Sequence, residues 1–182
     1  MILDRLASPA HREKHERHHA KHAPYGTHAY RWAKMIAEMC DRHGLRSVLD
    51  YGAGKRTLAP ALCEMRPELQ VTEYDPCVPE IAALPKPADL VVCVDVLIFV
   101  EEDKLETVLN HLAELATKRL LVNVPFHPVH KLSQAAGPRW FLGLDDSWWL
   151  DRIEAGWPNS HSWTAEAKDS EHTRYLWCEL WR

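Results

Sequence analysis

The spacing of apolar residues along the chain predicts helices that alternate with buried strands. Apolar side chains recur at helical spacing over 30–43 and 101–116. Gly44 follows the first of these segments and is predicted to end its helix. The runs over 89–94 and 119–124 are instead continuous and mostly β-branched, which is typical of strands buried on both faces of a parallel sheet.

Shorter segments extend the alternation. Strands are predicted at 47–49 and 70–74, with a helix at 57–65 between them and a short helix at 77–83. The predicted C-terminal elements are a helix at 146–155, which Asp145 or Asp146 caps, and strands at 161–167 and 174–181. This order predicts an α/β fold, with one doubly wound, Rossmann-like, mostly parallel sheet of about seven strands and an antiparallel edge strand.

Residues 1–23 do not share this pattern, so the domain itself is predicted to cover 24–182. The segment is polar all round, and a helix there would have no apolar face to bury, which favours a solvated arm. Four of its histidines would share one helical face, but no carboxylate or cysteine completes a closed zinc site with them. Its basic side chains could attract an anionic substrate or a nucleic-acid end. The four histidines are His11, His15, His18 and His22.

Composition and charge are those of an ordinary globular protein. The 182 residues suffice for one domain, and 46% of them are hydrophobic. The net charge of -4 argues against a protein dedicated to duplex DNA, whose binding face is usually strongly basic. The longest apolar stretch, 90–100, contains Asp95 and is too short to span a membrane. The five cysteines form no C-x-x-C pair, which predicts free thiols and, without a visible secretory signal, a cytoplasmic protein.

A glycine-containing turn after the first predicted strand carries the candidate chemistry. In Asp50-Tyr51-Gly52-Ala53-Gly54, two glycines remove Cβ atoms where a strand turns into a helix. The backbone can therefore approach a ligand closely and present amides at a helix N-terminus. From two residues before the first glycine, the Asp50 carboxylate can reach an amino group or a bound water. Asp75 ends the next strand, where it can accept hydrogen bonds from a ribose diol.

This pattern predicts a nucleotide-type cofactor. The dinucleotide site of an NAD(P)-dependent oxidoreductase expects Gly-x-Gly-x-x-Gly, whose third glycine would stand at Thr57. The acid two residues before Gly52 is also foreign to that pattern. An NAD(P)-dependent oxidoreductase on a Rossmann-like fold is therefore kept as the alternative prediction.

At these residues the chain resembles the class I S-adenosylmethionine (SAM)-dependent methyltransferases. Their first motif is an acid followed by Gly-x-Gly-x-Gly at the end of the first strand, and here Arg56 replaces the last glycine. Asp75 matches their ribose-binding acid, and 89–97 resembles the strand motif that leads into their cofactor and substrate pocket. The resemblance implies SAM as the cofactor, held by Asp50, Tyr51, Gly52, Ala53, Gly54, Asp75, Pro76, Asp95, Val96 and Leu97.

A narrower resemblance, over about 25–182, is to small methyltransferases found in phage and prophage sequences. The matching pairs are Tyr25-Gly26, His130-Lys131 and Trp148-Trp149. This resemblance implies that Tyr25 and Gly26 fold over the cofactor.

For methyl transfer from an activated sulfonium, the protein mainly has to position the two reactants. A general base is needed when the acceptor is a protonated nitrogen or a hydroxyl. His127 and His130, in the irregular segment after 119–124, are the candidate bases, with ordinary loop histidines as the alternative. Ile98-Phe99 stands where many relatives carry Glu-His, which keeps a non-catalytic SAM-binding protein open.

The class of methyl acceptor is predicted mainly by excluding known motifs. Residues 95–98 show neither the Asp/Asn-Pro-Pro-Tyr of amino-group DNA methyltransferases nor the Pro-Cys of cytosine-C5 enzymes. A small molecule, or an exposed nucleotide or peptide group, is predicted in preference to duplex DNA.

Seven of the eight tryptophans follow residue 139. Their clustering predicts a filled core, a homodimer face or a surface for a planar substrate, with Trp140 as the pocket candidate.

Overall fold

The computed structural model describes residues 2–22, 26–126, 144–166 and 173–182. The helices are α1 (Ile2–Leu6), α2 (Pro9–Lys21), α3 (Ala33–His43), α4 (Leu58–Met65), α5 (Leu105–Leu115) and α6 (Asp146–Ile153). The strands are β1 (Ser47–Tyr51), β2 (Gln70–Tyr74), β3 (Ala88–Cys93), β4 (Ala116–Phe126), β5 (Asn159–Glu166) and β6 (Arg174–Trp181). Short 3-10 turns lie at His28–Trp32, Pro79–Ile81, Leu97–Phe99 and Glu102–Lys104. None of the helices in these ranges is long and apolar enough to cross a membrane.

The strands form one sheet in the order β2-β1-β3-β4-β6-β5. β1 pairs in parallel with β2 and β3, and β3 pairs in parallel with β4. β6 runs antiparallel to β4, and β5 runs antiparallel to β6. The predicted doubly wound, mostly parallel sheet is confirmed. The described residues form six strands where about seven were expected, and the antiparallel part is a pair of strands.

The strand order reverses beside β1. The chain passes from β1 to β2 on one side and then crosses to β3 on the other side. In sheets of this kind, a crevice opens at the carboxyl ends of the strands that flank the reversal. The carboxyl ends of β1, β2 and β3 therefore form the ligand side of the sheet.

Helices cover both faces of the sheet, because successive strand side chains point to opposite sides. On one face, α5 and α6 pack against a core that includes Leu49, Val91 and Leu120. On the other face, α3 and α4 pack against a second core that includes Val48 and Leu90. Burial on both sides explains why the parallel strands are continuous apolar runs.

Two helix ends follow the predicted capping chemistry. Gly44 ends α3 in a left-handed conformation, with φ of 62°. Asp145 begins α6, because its side chain accepts a hydrogen bond from the Trp148 amide at 2.9 Å.

β4 is longer than its apolar run predicted. It spans Ala116–Phe126, whereas the continuous run covered 119–124. The reason is pairing at both ends, since Ala116 pairs with Ala88 of β3 and the register with β6 continues to Phe126. A half-exposed strand end needs a partner for its backbone more than it needs apolar side chains.

The N-terminal segment differs from the expected solvated arm. Residues Pro9–Lys21 form helix α2, and Ser8 caps it by accepting a hydrogen bond from the His11 amide at 3.2 Å. The helix has no apolar stripe, yet only 3% of His15 is exposed. Instead, three of its histidines line the cavity at the carboxyl ends of the strands, and His15 packs edge-on against Phe99.

Candidate functional site

A cavity of about 240 Å³ lies at the carboxyl ends of the parallel strands. Each of four neighbouring strands sends the residues that follow or end it to the cavity wall, as the strand reversal requires. From the sheet, the lining residues are Tyr51 at the end of β1 with Gly52, Ala53 and Gly54 after it, Asp75, Pro76 and Cys77 after β2, Val94, Asp95 and Val96 after β3, Pro125 in β4 and Tyr175 in β6.

The floor of the cavity is the glycine turn after β1. Gly52 has a φ of +84°, and a Cβ atom there would lie 2.3 Å from Cγ2 of Val96. Gly54 has a φ of +51°, and its Cβ would lie 3.0 Å from the carbonyl oxygen of Gly26. Only glycine combines these conformations with such close approaches, so both positions need it. The turn therefore presents bare backbone to the cavity.

Arg56 stands where the methyltransferase motif has its last glycine, and it keeps the backbone conformation of a glycine. Its φ is 60°, which costs a residue with a Cβ atom free energy. Its guanidinium pairs with Glu73 at the end of β2, with Nη2 and Oε2 2.7 Å apart. The substitution thus changes the side chain while the path of the turn is kept.

Asp75 joins the glycine turn to the end of β2. Its Oδ2 accepts a hydrogen bond from the Gly54 amide at 3.0 Å, and its Oδ1 accepts one from the Cys77 amide at 2.8 Å. Burial raises the pKa of Asp75, while these two donors oppose the shift. The carboxylate is 7% exposed, lines the cavity, and has lone pairs beyond the two that these amides use.

Asp50 lies beneath the turn, outside the cavity lining. It is 1% exposed, and its Oδ2 has no hydrogen-bond partner among the described residues. Burial, followed by the nearby carboxylates of Glu73 and Asp75, raises the pKa of Asp50 to about 8. At neutral pH this side chain is therefore mainly a neutral acid.

Asp95, after β3, brings a second carboxyl group to the cavity. Its backbone has a φ of 59°, and its amide donates to Oδ1 of the buried Asn123 at 2.7 Å. Burial raises the pKa of Asp95 to about 6, although the positive charge of Arg31 opposes the shift. A carboxyl group with this pKa can hold or release a proton near neutral pH.

The cavity unites most of the residues predicted from the sequence. Nine of them line it: Gly26, Tyr51, Gly52, Ala53, Gly54, Asp75, Pro76, Asp95 and Val96. Asp50 and Leu97 do not line it, because the first is buried beneath the turn and the second is fully buried in the core. Tyr25, His127, His130 and Trp140 lie outside the described residues, so their predicted roles stay predictions.

One wall of the cavity was not predicted from the sequence. Helix α2 contributes His11, His15 and His19 to the lining, and α1 contributes Leu6. The spacing of four residues between the histidines was the available signal, since it places them on one helical face. Within the described residues, no three His, Cys, Asp or Glu side chains are grouped to hold a metal ion.

Comparison with solved structures identifies the fold. The methyltransferase domain of bacterial CtHen1-C superposes with a TM-score of 0.60 at 14% identity, over 84% of this chain and 98% of that one. Magnesium protoporphyrin IX methyltransferase from Synechocystis PCC 6803, solved with bound SAM, gives a TM-score of 0.56 at 17% identity, over 84% and 79% of the two chains. The mitomycin 7-O-methyltransferase MmcR gives 0.55 at 18% identity, over 84% and 54%.

These likenesses establish the class I methyltransferase fold for this chain. The chain spans little more than half the length of several of the similar proteins, including TnmH, of which it covers 56%. No protein-family model matches the chain, and no curated protein sequence matches it either.

Proposed function

We propose that this chain is a SAM-dependent methyltransferase whose acceptor is a small molecule or an exposed nucleotide or peptide group. The observation that carries the proposal is the arrangement around Asp75. A buried carboxylate, tied to the amides of Gly54 and Cys77, stands beside a glycine turn on the ligand side of a methyltransferase fold.

The residues of the cavity fit the proposed cofactor. Gly52 and Gly54 form a cradle that a Cβ atom would fill, so the backbone can lie directly against a ligand. Asp75 retains acceptor capacity for a ribose diol. Asp50 directly precedes the turn and has a buried oxygen without a partner among the described residues, so a positively charged group bound nearby would stabilise its ionised form.

The bound cofactor would supply an electrophilic methyl group on its sulfonium. The work of the protein is then mostly orientation of the two reactants and exclusion of water. The glycine turn and Asp75 hold one end of the cavity. Asp95 can accept a proton or a hydrogen bond from an acceptor hydroxyl or amine, because its carboxyl group lines the cavity with a pKa of about 6. His127 and His130 remain the other predicted bases.

The acceptor class is supported by two observations. The named acceptors of the magnesium protoporphyrin IX and mitomycin enzymes are small molecules. The net charge of -4 gives no general attraction to the phosphates of duplex DNA.

Calorimetric titration with S-adenosylhomocysteine (SAH) tests the proposal. We expect wild-type protein to bind SAH and Asp75→Asn to bind it at least about tenfold more weakly, a difference of about 1.4 kcal/mol. Asp151→Asn is the matched control, because Asp151 is exposed on α6 and lines no part of the cavity. A folded wild-type protein that binds no SAH would refute the proposal.

One observation favours a second function, that of a SAM-binding protein without catalysis. Ile98 is 1% exposed and belongs to the core, so this position offers the cavity no polar group. SAH binding with no methyl transfer to any acceptor would favour this function over catalysis.

A further inference from the structure

Helix α2 docks on the domain although its sequence offers no apolar face. The helix contains only two alanines and one proline among its apolar residues, and it is otherwise charged or polar. Its exposed residues include Glu13, Lys14 and Arg17. His15 is nonetheless as buried as a core residue, with 3% exposure. Docking of this helix therefore has a cause other than hydrophobic patterning.

The docked face is a row of three histidines that lines the cavity. His11, His15 and His19 are spaced by four residues, and all three contribute to the wall. The rings of His11 and His15 are 4.2 Å apart, and His15 meets Phe99 edge-on at 6.0 Å. His19 lies so close to Gly26 that a Cβ atom there would be 2.7 Å from its Cε1.

Both ends of the helix are tied to residues that border the cavity. At the start, the Ser8 amide donates to Oε2 of Glu101 at 2.8 Å, and the Ser8 hydroxyl donates to Oε1 at 2.7 Å. At the end, Nζ of Lys55 donates to the carbonyl oxygen of His22 at 2.8 Å. Glu101 lies shortly before α5, and Lys55 directly follows the glycine turn. Helix α2 therefore extends across the ligand side of the sheet, between these two places.

The charge state of the three histidines suits contact with an aromatic ring. Burial, and to a smaller extent the neighbouring His11, Lys14, His19 and His18, lower the pKa of His15 to about 3. Burial also lowers the pKa of His11 and the pKa of His19. The nearby carboxylates of Glu101 and Asp75 oppose the shift at His11, and Asp75 opposes the shift at His19. Neutral imidazoles can stack on a base and can still donate or accept one hydrogen bond each.

We propose that helix α2 is a wall of the cofactor site and that its three cavity-facing histidines contact the nucleoside half of the bound cofactor. This inference rests on the function proposed above, because it takes Asp75 as the ribose-binding residue. The proposed ligand of the histidine face is a purine nucleoside. Its flat base can lie against uncharged, hydrogen-bonding rings, and its ribose can reach Asp75.

The first test compares two tryptophan variants of the full chain. His15→Trp places a larger ring in the wall, whereas His18→Trp makes the same change on the same helix at a residue that does not line the cavity. Calorimetry with SAH should show binding weakened at least about tenfold in His15→Trp and within about twofold of wild type in His18→Trp. Adenosine, as a second probe, should show the same order of affinities.

A second measurement needs no variant and covers the case in which His15→Trp fails to fold. Amide hydrogen exchange of the wild-type protein is followed with and without saturating SAH. Exchange in α2 should slow at least about tenfold, because a ligand against the helix stabilises its docked state. Helix α6 contributes no lining residue and serves as the internal comparison.

The outcomes separate the two proposals. If wild-type protein binds SAH but exchange in α2 is unchanged, or a folded His15→Trp binds SAH as wild type does, the histidine wall is refuted and the proposed cofactor stands. If wild-type protein binds neither SAH nor adenosine, both proposals are overturned.

Discussion

Glu101 accepts two hydrogen bonds from Ser8, a residue 93 positions earlier in the chain. One carboxylate oxygen takes the Ser8 amide and the other takes the Ser8 hydroxyl. The same hydroxyl oxygen accepts the His11 amide at the start of α2, so a single carboxylate secures the N-cap of the helix that lines the cavity.

Glu101→Ala should therefore loosen α2 more than it destabilises the domain. Two hydrogen bonds to a partly buried charge are lost, and we expect a cost of about 1–2 kcal/mol, concentrated in local opening of α2. Amide hydrogen exchange of residues 9–21 measures this directly. The exposed neighbour Glu102, changed to Ala, is the control, and equal exchange in the two variants would show that the Ser8 contact has no such role.

Acidification should undock α2 before it unfolds the sheet. His15 has a pKa of about 3 when docked and near 6.5 when exposed, so the undocked state binds more protons below pH 6.5. Docking is fully favourable above that pH, and it weakens about tenfold at a pH one unit lower. Limited proteolysis within residues 9–21 at neutral pH and at about pH 5.5 reports the change. His15→Leu removes the histidine whose pKa is about 3 and leaves His11 and His19, whose pKa values are also lowered, so the pH response should become smaller. A pH response as large as that of wild type would assign the effect to other groups.

Asp50→Asn should flatten the pH dependence of stability between about pH 4 and pH 8. The folded-state pKa of Asp50 is about 8, far above its ordinary value, so the folded state binds more protons between the two values. The wild-type free energy of unfolding should therefore fall as pH rises towards 8, by up to about 1.4 kcal/mol per unit from this group. Urea unfolding at several pH values compares wild type, Asp50→Asn and the exposed control Asp151→Asn. A parallel fall in wild type and Asp50→Asn would contradict the assignment.

A comparison of Gly52→Ala with Gly44→Ala separates the effect of backbone strain from the effect of a side chain at the cavity. Both glycines have positive φ, of 84° and 62°, so both substitutions strain the backbone by about 1 kcal/mol. Only the Gly52 Cβ would meet another atom, since Gly44 has open space around it. We expect Gly52→Ala to lose SAH binding and to destabilise more than Gly44→Ala, which should bind as wild type does. Calorimetry and urea unfolding give both quantities.

Arg56→Gly should be nearly neutral, whereas Arg56→Val should destabilise. Glycine relieves the strain of the positive φ, and it loses an exposed ion pair with Glu73 that contributes at most about 1 kcal/mol. Valine loses the ion pair and is poorly suited to this conformation, because it is branched at Cβ. The urea unfolding midpoints of the two variants and wild type test this prediction. Equal midpoints for the two variants would show that the positive φ at this position has no free-energy cost.

Local patterns in the sequence were sufficient for most of the sheet and for the cavity floor. Continuous apolar runs indicate strands buried on both faces, and Gly44 and Asp145 mark helix ends, because each of these signals acts through neighbouring residues alone. The glycine turn and Asp75 belong to the same class. Their spacing follows from one strand-turn-helix unit and the next strand, and the parallel pairing of β1 with β2 brings them together.

Tertiary structure alone decided the remaining features. The spacing of the histidines places them on one helical face, but it does not show that α2 docks, because the cavity that they line is built from strands distant in sequence. The burial of Asp50 depends on the packing around β1, which leaves its side chain outside the cavity lining. The length of β4 depends on its pairing with β6. In each case the deciding partner is distant in sequence, and burial of a polar group depends on that partner and not on the residue itself.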